Sequence, residues 1–174
     1  QLVSGKIVEL HDSARNFLAT AVVNPKSKIF ARVITKTADK IGGSELVFKR
    51  ISAAKALREG IFTDPYYRLI NSEADQMPGT IIDRYGDFFV IQPNSVWAEN
   101  NLDNISDALI ELFNPEGIIK NANSRARTLE GLDDCSLLIH GSVPTTPLQV
   151  PMNGAIYMAD LNYGQKTGLF YDQR

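Results

Sequence analysis

NSEADQMPGTIIDRYGDFFVIQ, Asn71 to Gln92, reads as a polar loop, a strand, a tight turn and a second strand. TIIDR and FFVIQ are rich in the β-branched and aromatic residues that suit a pleated, half-buried surface. Tyr85-Gly86-Asp87 lies between them, with a glycine where a short turn calls for a positive φ, so the stretch predicts a β-hairpin. The loop before it contains Asp75, Pro78 and Gly79, whose turn-forming chemistry has a structural purpose of its own. Asp83 and Arg84 are neighbours on a strand and therefore point to opposite faces, so they need not pair with each other.

After the hairpin, residues 96–113 place Trp97, Leu102, Ile105, Leu109 and Leu112 at helical spacing, and Asn114-Pro115 ends the run. GIIKNAN, SLLIH, PLQVP and AIYMADL then alternate with turn residues and predict further strands. Before the hairpin, YYRLI is a strand, and Thr63-Asp64-Pro65 marks a boundary between modules. Residues 44–59 form a helix capped by Ser44, with Val47, Ile51, Ala54 and Leu57 on one side and Lys49, Arg50, Lys55 and Arg58 on the other. Gly5 to Ile34 reads as small β structure: GKIVEL, FLATAVV and IFARVI, separated by polar turns. The fold class expected is α+β: a small β-barrel module over residues 1–64, then a strand-rich domain covered by a helix over 65–174, in β-β-α-β-β order.

Hydrophobic residues make up 44% of the 174 and charged residues 22%, the balance of an ordinary globular protein. No run approaches the roughly 18 apolar residues of a membrane span and the opening residues carry no signal-like core, so no membrane partner and a cytoplasmic location are expected. Residues 1–64 carry a net +5 and residues 65–174 a net −7. A basic first third suits phosphate contacts, although a solvated face would look the same. Cys135 is the single cysteine, so neither an internal disulfide nor a cysteine-rich metal site can form. Asp133 and Asp134 beside it oppose thiolate formation, and a half-buried structural role is expected. His11 and His140 stand apart from each other and from ligand-type partners, and no metal site is expected. No glycine-rich turn follows a strand and opens a helix in the way that cradles nucleotide-type cofactors.

NSEADQMPGTIIDRYGDFFVIQ and LNYGQKTGLFYDQR, Leu161 to Arg174, together resemble the large-subunit ribosomal RNA methyltransferase I family. The resemblance extends to NFLATAVVNPKSKIFARVI, Asn16 to Ile34, and to FKRISAAKALR, Phe48 to Arg58, and so spans nearly the whole chain. Members of that family are class I S-adenosylmethionine-dependent enzymes that methylate carbon 5 of a cytosine. The family order is a PUA-type RNA-binding domain, a central domain of strands around one helix, and a Rossmann-type methyltransferase domain. The resemblance implies that this chain is the PUA and central part, that the Rossmann domain with its donor loop and nucleophilic cysteine is absent, and that the chain alone is inactive. One departure is Met152-Asn153-Gly154, where the family tends to carry Glu-Asn-Gly, so no role for that carboxylate carries over.

The implied substrate is ribosomal RNA and the implied cofactor is S-adenosylmethionine, held in the intact enzyme and not by this chain alone. No catalytic residue is assigned. Gln165, Lys166, Thr167, Gly168, Asp172 and Arg174 are expected to complete the donor site in the intact enzyme, through close backbone approach, neutral hydrogen bonds and charge. A simple domain-tying role for the same tail, with Phe170 and Tyr171 packing, is the alternative. Arg15, Lys26, Lys28, Arg32 and Lys36, assisted by Lys49, Arg50 and Lys55, are expected to grip RNA phosphates. A homodimer is compatible with the family, though no self-complementary surface is legible. Two other readings stay open: a stand-alone RNA-binding adaptor, and a protein-interaction module whose acidic second domain binds a basic partner.

Overall fold

The structure is a computed structural model that describes residues 2–37, 43–161, 168–169 and 171. Strands β1 (Ile7–His11), β2 (Phe17–Val23) and β3 (Ala31–Thr35) form an antiparallel sheet in the order β1-β2-β3. The expected barrel is therefore, among the described residues, a three-stranded sheet with β3 at one edge. Helix α1 (Gly43–Glu59) follows where a helix was predicted, but it begins before Ser44, which lies inside the first turn instead of capping it. Val47, Ile51 and Ala54 are buried, but Leu57 is 54% exposed and lines a surface cleft beside Lys49, Arg50 and Ala53.

Strands β4 (Tyr66–Asn71), β5 (Thr80–Tyr85), β6 (Phe88–Pro93), β7 (Gly117–Lys120) and β8 (Leu137–Gly141) make a mixed sheet in sequential order. The predicted hairpin is β5-β6, with Ile82 opposite Ile91 and Tyr85 opposite Phe88. β6 and β7 run parallel, so the chain must cross over between them, and helices do this. The predicted single helix over 96–113 is two, α2 (Val96–Asn100) and α3 (Leu102–Phe113). Asn101 breaks it: its side-chain amide donates to the Trp97 carbonyl at 2.9 Å while its side-chain oxygen accepts from Asn104 at 3.0 Å. A short amide side chain here competes with the helical backbone. Ser95 caps α2 by accepting from the Ala98 N–H, and Asn114, at φ 45°, ends α3 in the left-handed region that asparagine tolerates.

The central strands β5 to β7 are buried on both faces, while the edge strand β8 is largely exposed, and strand alternation sorts the buried residues. Tyr67, Leu69, Ile82, Phe89 and Ile91 face α1 and α3, joining Val47, Ile51, Trp97, Ile105 and Leu109 in one core that also takes Val22 and Ile34 from the first sheet. Tyr85, Val90 and Ile119 face the other way, onto the hairpin of β9 (Leu148–Met152) and β10 (Ala155–Ala159), with Leu161 and Tyr171. Trp97 is a core residue, as expected. The short helix α4 (Arg125–Glu130) was not predicted, because its buried face is Arg127 and Glu130 and carries no apolar period. Among the described residues no helix is long and apolar enough to cross a membrane.

Candidate nucleic-acid interface

The open edge of β3 faces a loop built to hold its shape. Ser72–Asp75 is one turn of 3-10 helix, and Gln76 follows at φ 59°. The Asp75 carboxylate accepts from the Arg58 guanidinium and the Asn71 N–H, both at 2.6 Å. Ser95 Oγ donates to the Pro78 carbonyl at 2.7 Å, and a side chain at Gly79 would start 2.4 Å from Ser95 Cβ. Gly79, at φ 68°, is therefore required by both conformation and space. The polar loop of the sequence motif is architecture, and what it builds is the wall of a cleft.

That cleft, of about 750 Å³, runs between Ala31–Thr37 on one side and Glu73, Gln76 and Pro78 on the other. A second, of about 360 Å³, continues it past Thr35, Thr37 and Gln76 to Lys49 and Arg50 on α1. Lys36 and Lys49 are exposed at its rim, while Ile29, Val33 and Pro78 give the larger cleft an apolar lining. Such a mixture of ammonium groups and apolar walls can grip phosphates and accept an unstacked base.

The expected RNA-contacting residues do not share one environment. Arg15, Lys26, Lys28, Lys36 and Lys49 are exposed. Arg32 is committed within the chain, donating to Glu73 at 2.8 Å and to Glu130 at 3.1 Å. Lys55 donates to the Leu112 carbonyl at 2.9 Å and lies over the Phe113 ring. Arg50 is buried and donates to the Ile34 carbonyl. The evenly basic outer face expected of α1 is thus reduced, since Arg50, Lys55 and Arg58 all turn back onto the protein. Glu130, which no local pattern in the sequence singles out, is a structural tie. It accepts from Asn24 at 2.9 Å, Ser27 at 2.8 Å and Arg32, and so ties the β2-β3 turn to the end of α4. Burial pushes its carboxyl up, but the hydrogen bonds from Asn24, Ser27 and Arg32 outweigh this and leave it below its ordinary value. The signal available in the sequence was for its short helix alone, with Ser124 and Gly131 as a cap at each end.

Asp83 and Arg84 diverge as strand geometry requires. Asp83 is fully buried and takes a bidentate pair of bonds from Arg68 at 2.9 and 3.1 Å, while Arg84 lies over the rings of Tyr67, Phe89 and Phe113. Gln165, Lys166, Thr167, Asp172 and Arg174, expected at the donor site, lie outside the described residues. Gly168 is described, at φ 112°, and a side chain there would start 2.9 Å from Leu161 Cδ2. Tyr171 is buried, donates to the Arg84 carbonyl at 3.0 Å and packs 5.1 Å from the Tyr85 ring. What the described part of the tail shows is close packing. Cys135, expected to be half-buried, is exposed on the segment between α4 and β8, because Asp133 and Asp134 keep that stretch in water. Among the described residues no cluster of metal-ligating side chains occurs.

Residues 1–36 match the family model of a PUA-like domain. Over 98% of its length the chain is 38% identical to a Ribosomal RNA large subunit methyltransferase I from Vibrio vulnificus, and over 99% it is 33% identical to one from Aeromonas hydrophila. The chain is a homologue of part of the ribosomal RNA large subunit methyltransferase I proteins. It spans only 43% and 44% of the length of those two relatives. The same fold occurs in a protein from Streptococcus mutans described as a SAM-dependent methyltransferase, at a TM-score of 0.82 and 24% identity, covering 99% of this chain and 44% of that one. A second protein described as a methyltransferase, solved in complex with SAH, superposes at a TM-score of 0.80 with 23% identity, covering 98% of this chain and 43% of that one. The fold of this chain is accordingly shared with proteins described as methyltransferases.

Proposed function

We propose that this chain is the RNA-recognition and domain-positioning portion of an S-adenosylmethionine-dependent ribosomal RNA methyltransferase that acts on carbon 5 of a cytosine. The observation that carries this reading is the similarity of 98% of the chain to proteins named for that RNA. The cleft beside β3, with Lys36 and Lys49 on its rim, supports it. Residues 1–64 serve as the RNA-gripping module and residues 65–174 as the central domain that presents the RNA. Arg15, Lys26, Lys28, Lys36 and Lys49 contact phosphates, whereas Arg32, committed to Glu73 and Glu130, holds the cleft wall in shape and Lys55 braces α1 against the end of α3.

Methylation at carbon 5 requires a thiolate to add at carbon 6, a donor held in line and a base to take the carbon 5 proton. The bound donor supplies the electrophilic methyl group. No described residue is assigned to those steps, and Cys135, exposed beside two aspartates, is not the nucleophile. Gln165, Lys166, Thr167, Gly168, Asp172 and Arg174 complete the donor site of the intact enzyme in this reading.

The test uses labelled methyl donor and ribosomal RNA with both the intact protein and the 174-residue chain. The chain is expected to bind RNA with an affinity that falls as salt rises, and to transfer no methyl group. Each of Lys26→Glu, Lys28→Glu and Lys36→Glu should reduce the logarithmic salt slope by about 0.7 to 0.9. Methyl transfer by the chain alone, or RNA affinity indifferent to salt, would sink the reading.

A further inference from the structure

We propose that the cleft between the end of β3, helix α1 and the Ser72–Asp75 turn is an anion subsite shaped for a phosphate group of a single-stranded RNA chain, with Arg50 as its buried ligand. Arg50 is only 9% exposed and lines the cleft with Lys49, Thr35, Thr37, Asp75 and Gln76. One end of its guanidinium donates to the Ile34 carbonyl, while Nη1 has no hydrogen-bond partner. A buried, unsatisfied cationic donor is among the costlier features a fold can keep.

The nearby arginines differ in having carboxylate partners, although Arg32 Nε is also buried without a hydrogen-bond partner. Arg32 has Glu73 and Glu130, and Arg58 has Asp75. Asp75 also lines the Arg50 cleft, but it is already held by Arg58 and the Asn71 N–H. Burial without a carboxylate partner pushes the Arg50 guanidinium below its ordinary pKa, the shift that an arriving anion would reverse. What the cleft lacks is one negative group with oxygens spaced for a guanidinium fork.

The surroundings suit a phosphate. Lys49 adds an exposed ammonium at the rim, and the Thr35 and Thr37 hydroxyls, 2.9 Å apart, can turn a donor toward an oxygen. Past Thr35, Thr37 and Gln76 the space opens into the larger cleft, where Ile29, Val33 and Pro78 can receive a base attached to that phosphate. The RNA identity of the ligand rests on the function proposed above, whereas the anion subsite rests on Arg50.

Amide and arginine Nε resonances of the 174-residue chain would be followed during titration with inorganic pyrophosphate and, separately, with a single-stranded RNA pentanucleotide. Both probes are expected to shift Arg50 Nε and the amides of Thr35, Thr37 and Gln76. Lys49→Ala, an exposed change that leaves folding intact, should weaken both by about threefold to tenfold. Arg50→Lys, which retains charge but loses the fork, should weaken them further. RNA that shifts only residues near Lys26 and Lys28, with Lys49→Ala binding as wild type, overturns the subsite and leaves the RNA-binding function standing. Pyrophosphate binding at Arg50 without RNA binding keeps the subsite and overturns that function. Silence from both probes overturns both.

Discussion

Arg32 and Glu130, 98 residues apart in sequence, meet at 3.1 Å and join the β2-β3 region to the C-terminal turn of α4. The Glu130 side chain is 3% exposed and that of Arg32 is 17% exposed, so the pair is largely withdrawn from water. Removing one partner of such a pair leaves the other charge buried without compensation.

Arg32→Ala is therefore expected to destabilise the chain by about 3 kcal/mol, in the range for breaking a buried ion pair. Urea unfolding followed by Trp97 fluorescence measures this. A loss below about 0.5 kcal/mol would place the pair with surface bridges of negligible worth.

Acid should loosen the same junction. The folded-state pKa of Glu130 lies below its ordinary 4.5, so its contribution is complete above that value and is lost as pH falls through the depressed one. Glu73, held by Ser72 and Arg32 against the upward push of burial, shifts in the same direction. Unfolding midpoints should thus be level from about pH 7 to 5 and fall below about pH 4.5. Glu130→Gln should show a shallower acid limb. Identical limbs in the two proteins would contradict the assignment.

Asp83 is 0% exposed and faces Arg68 directly across the β4-β5 ladder. Asp83→Ala is expected to cost about 3 to 5 kcal/mol. The double replacement of Asp83 and Arg68 by leucine and methionine should recover part of that loss, since it removes both charges together. A double-mutant cycle reads the difference, and strictly additive losses would show that the two residues do not act as a pair.

Gly117 begins β7 where β8 ends, and a Cβ there would stand 1.9 Å from the Ser142 carbonyl oxygen. Gly117→Ala must push the strands apart, with an expected cost of about 3 kcal/mol from overpacking. Amide exchange should locate the damage, with protection lost at Ser142, whose N–H donates to the Glu116 carbonyl. Unchanged protection there would mean that the strand end yields without strain.

The hairpin β5-β6, helix α1 and the buried Trp97 were legible in the sequence because each depends on residues a few positions apart: alternation, helical spacing, a glycine at a turn. Helix α4 was not, since its signature is a pair of caps around buried charges, and the break at Asn101 depended on where one amide side chain turned. The charge inventory of the first third was also plain from sequence. Which of those charges remain available was decided only by the tertiary structure. Arg32 is paired with carboxylates 41 and 98 residues away and Lys55 donates to a carbonyl 57 residues away, whereas Arg50 is buried with no carboxylate partner and one donor left over. Local patterns report the preferences of the backbone; a cation's fate depends on partners that only chain folding brings within hydrogen-bonding distance.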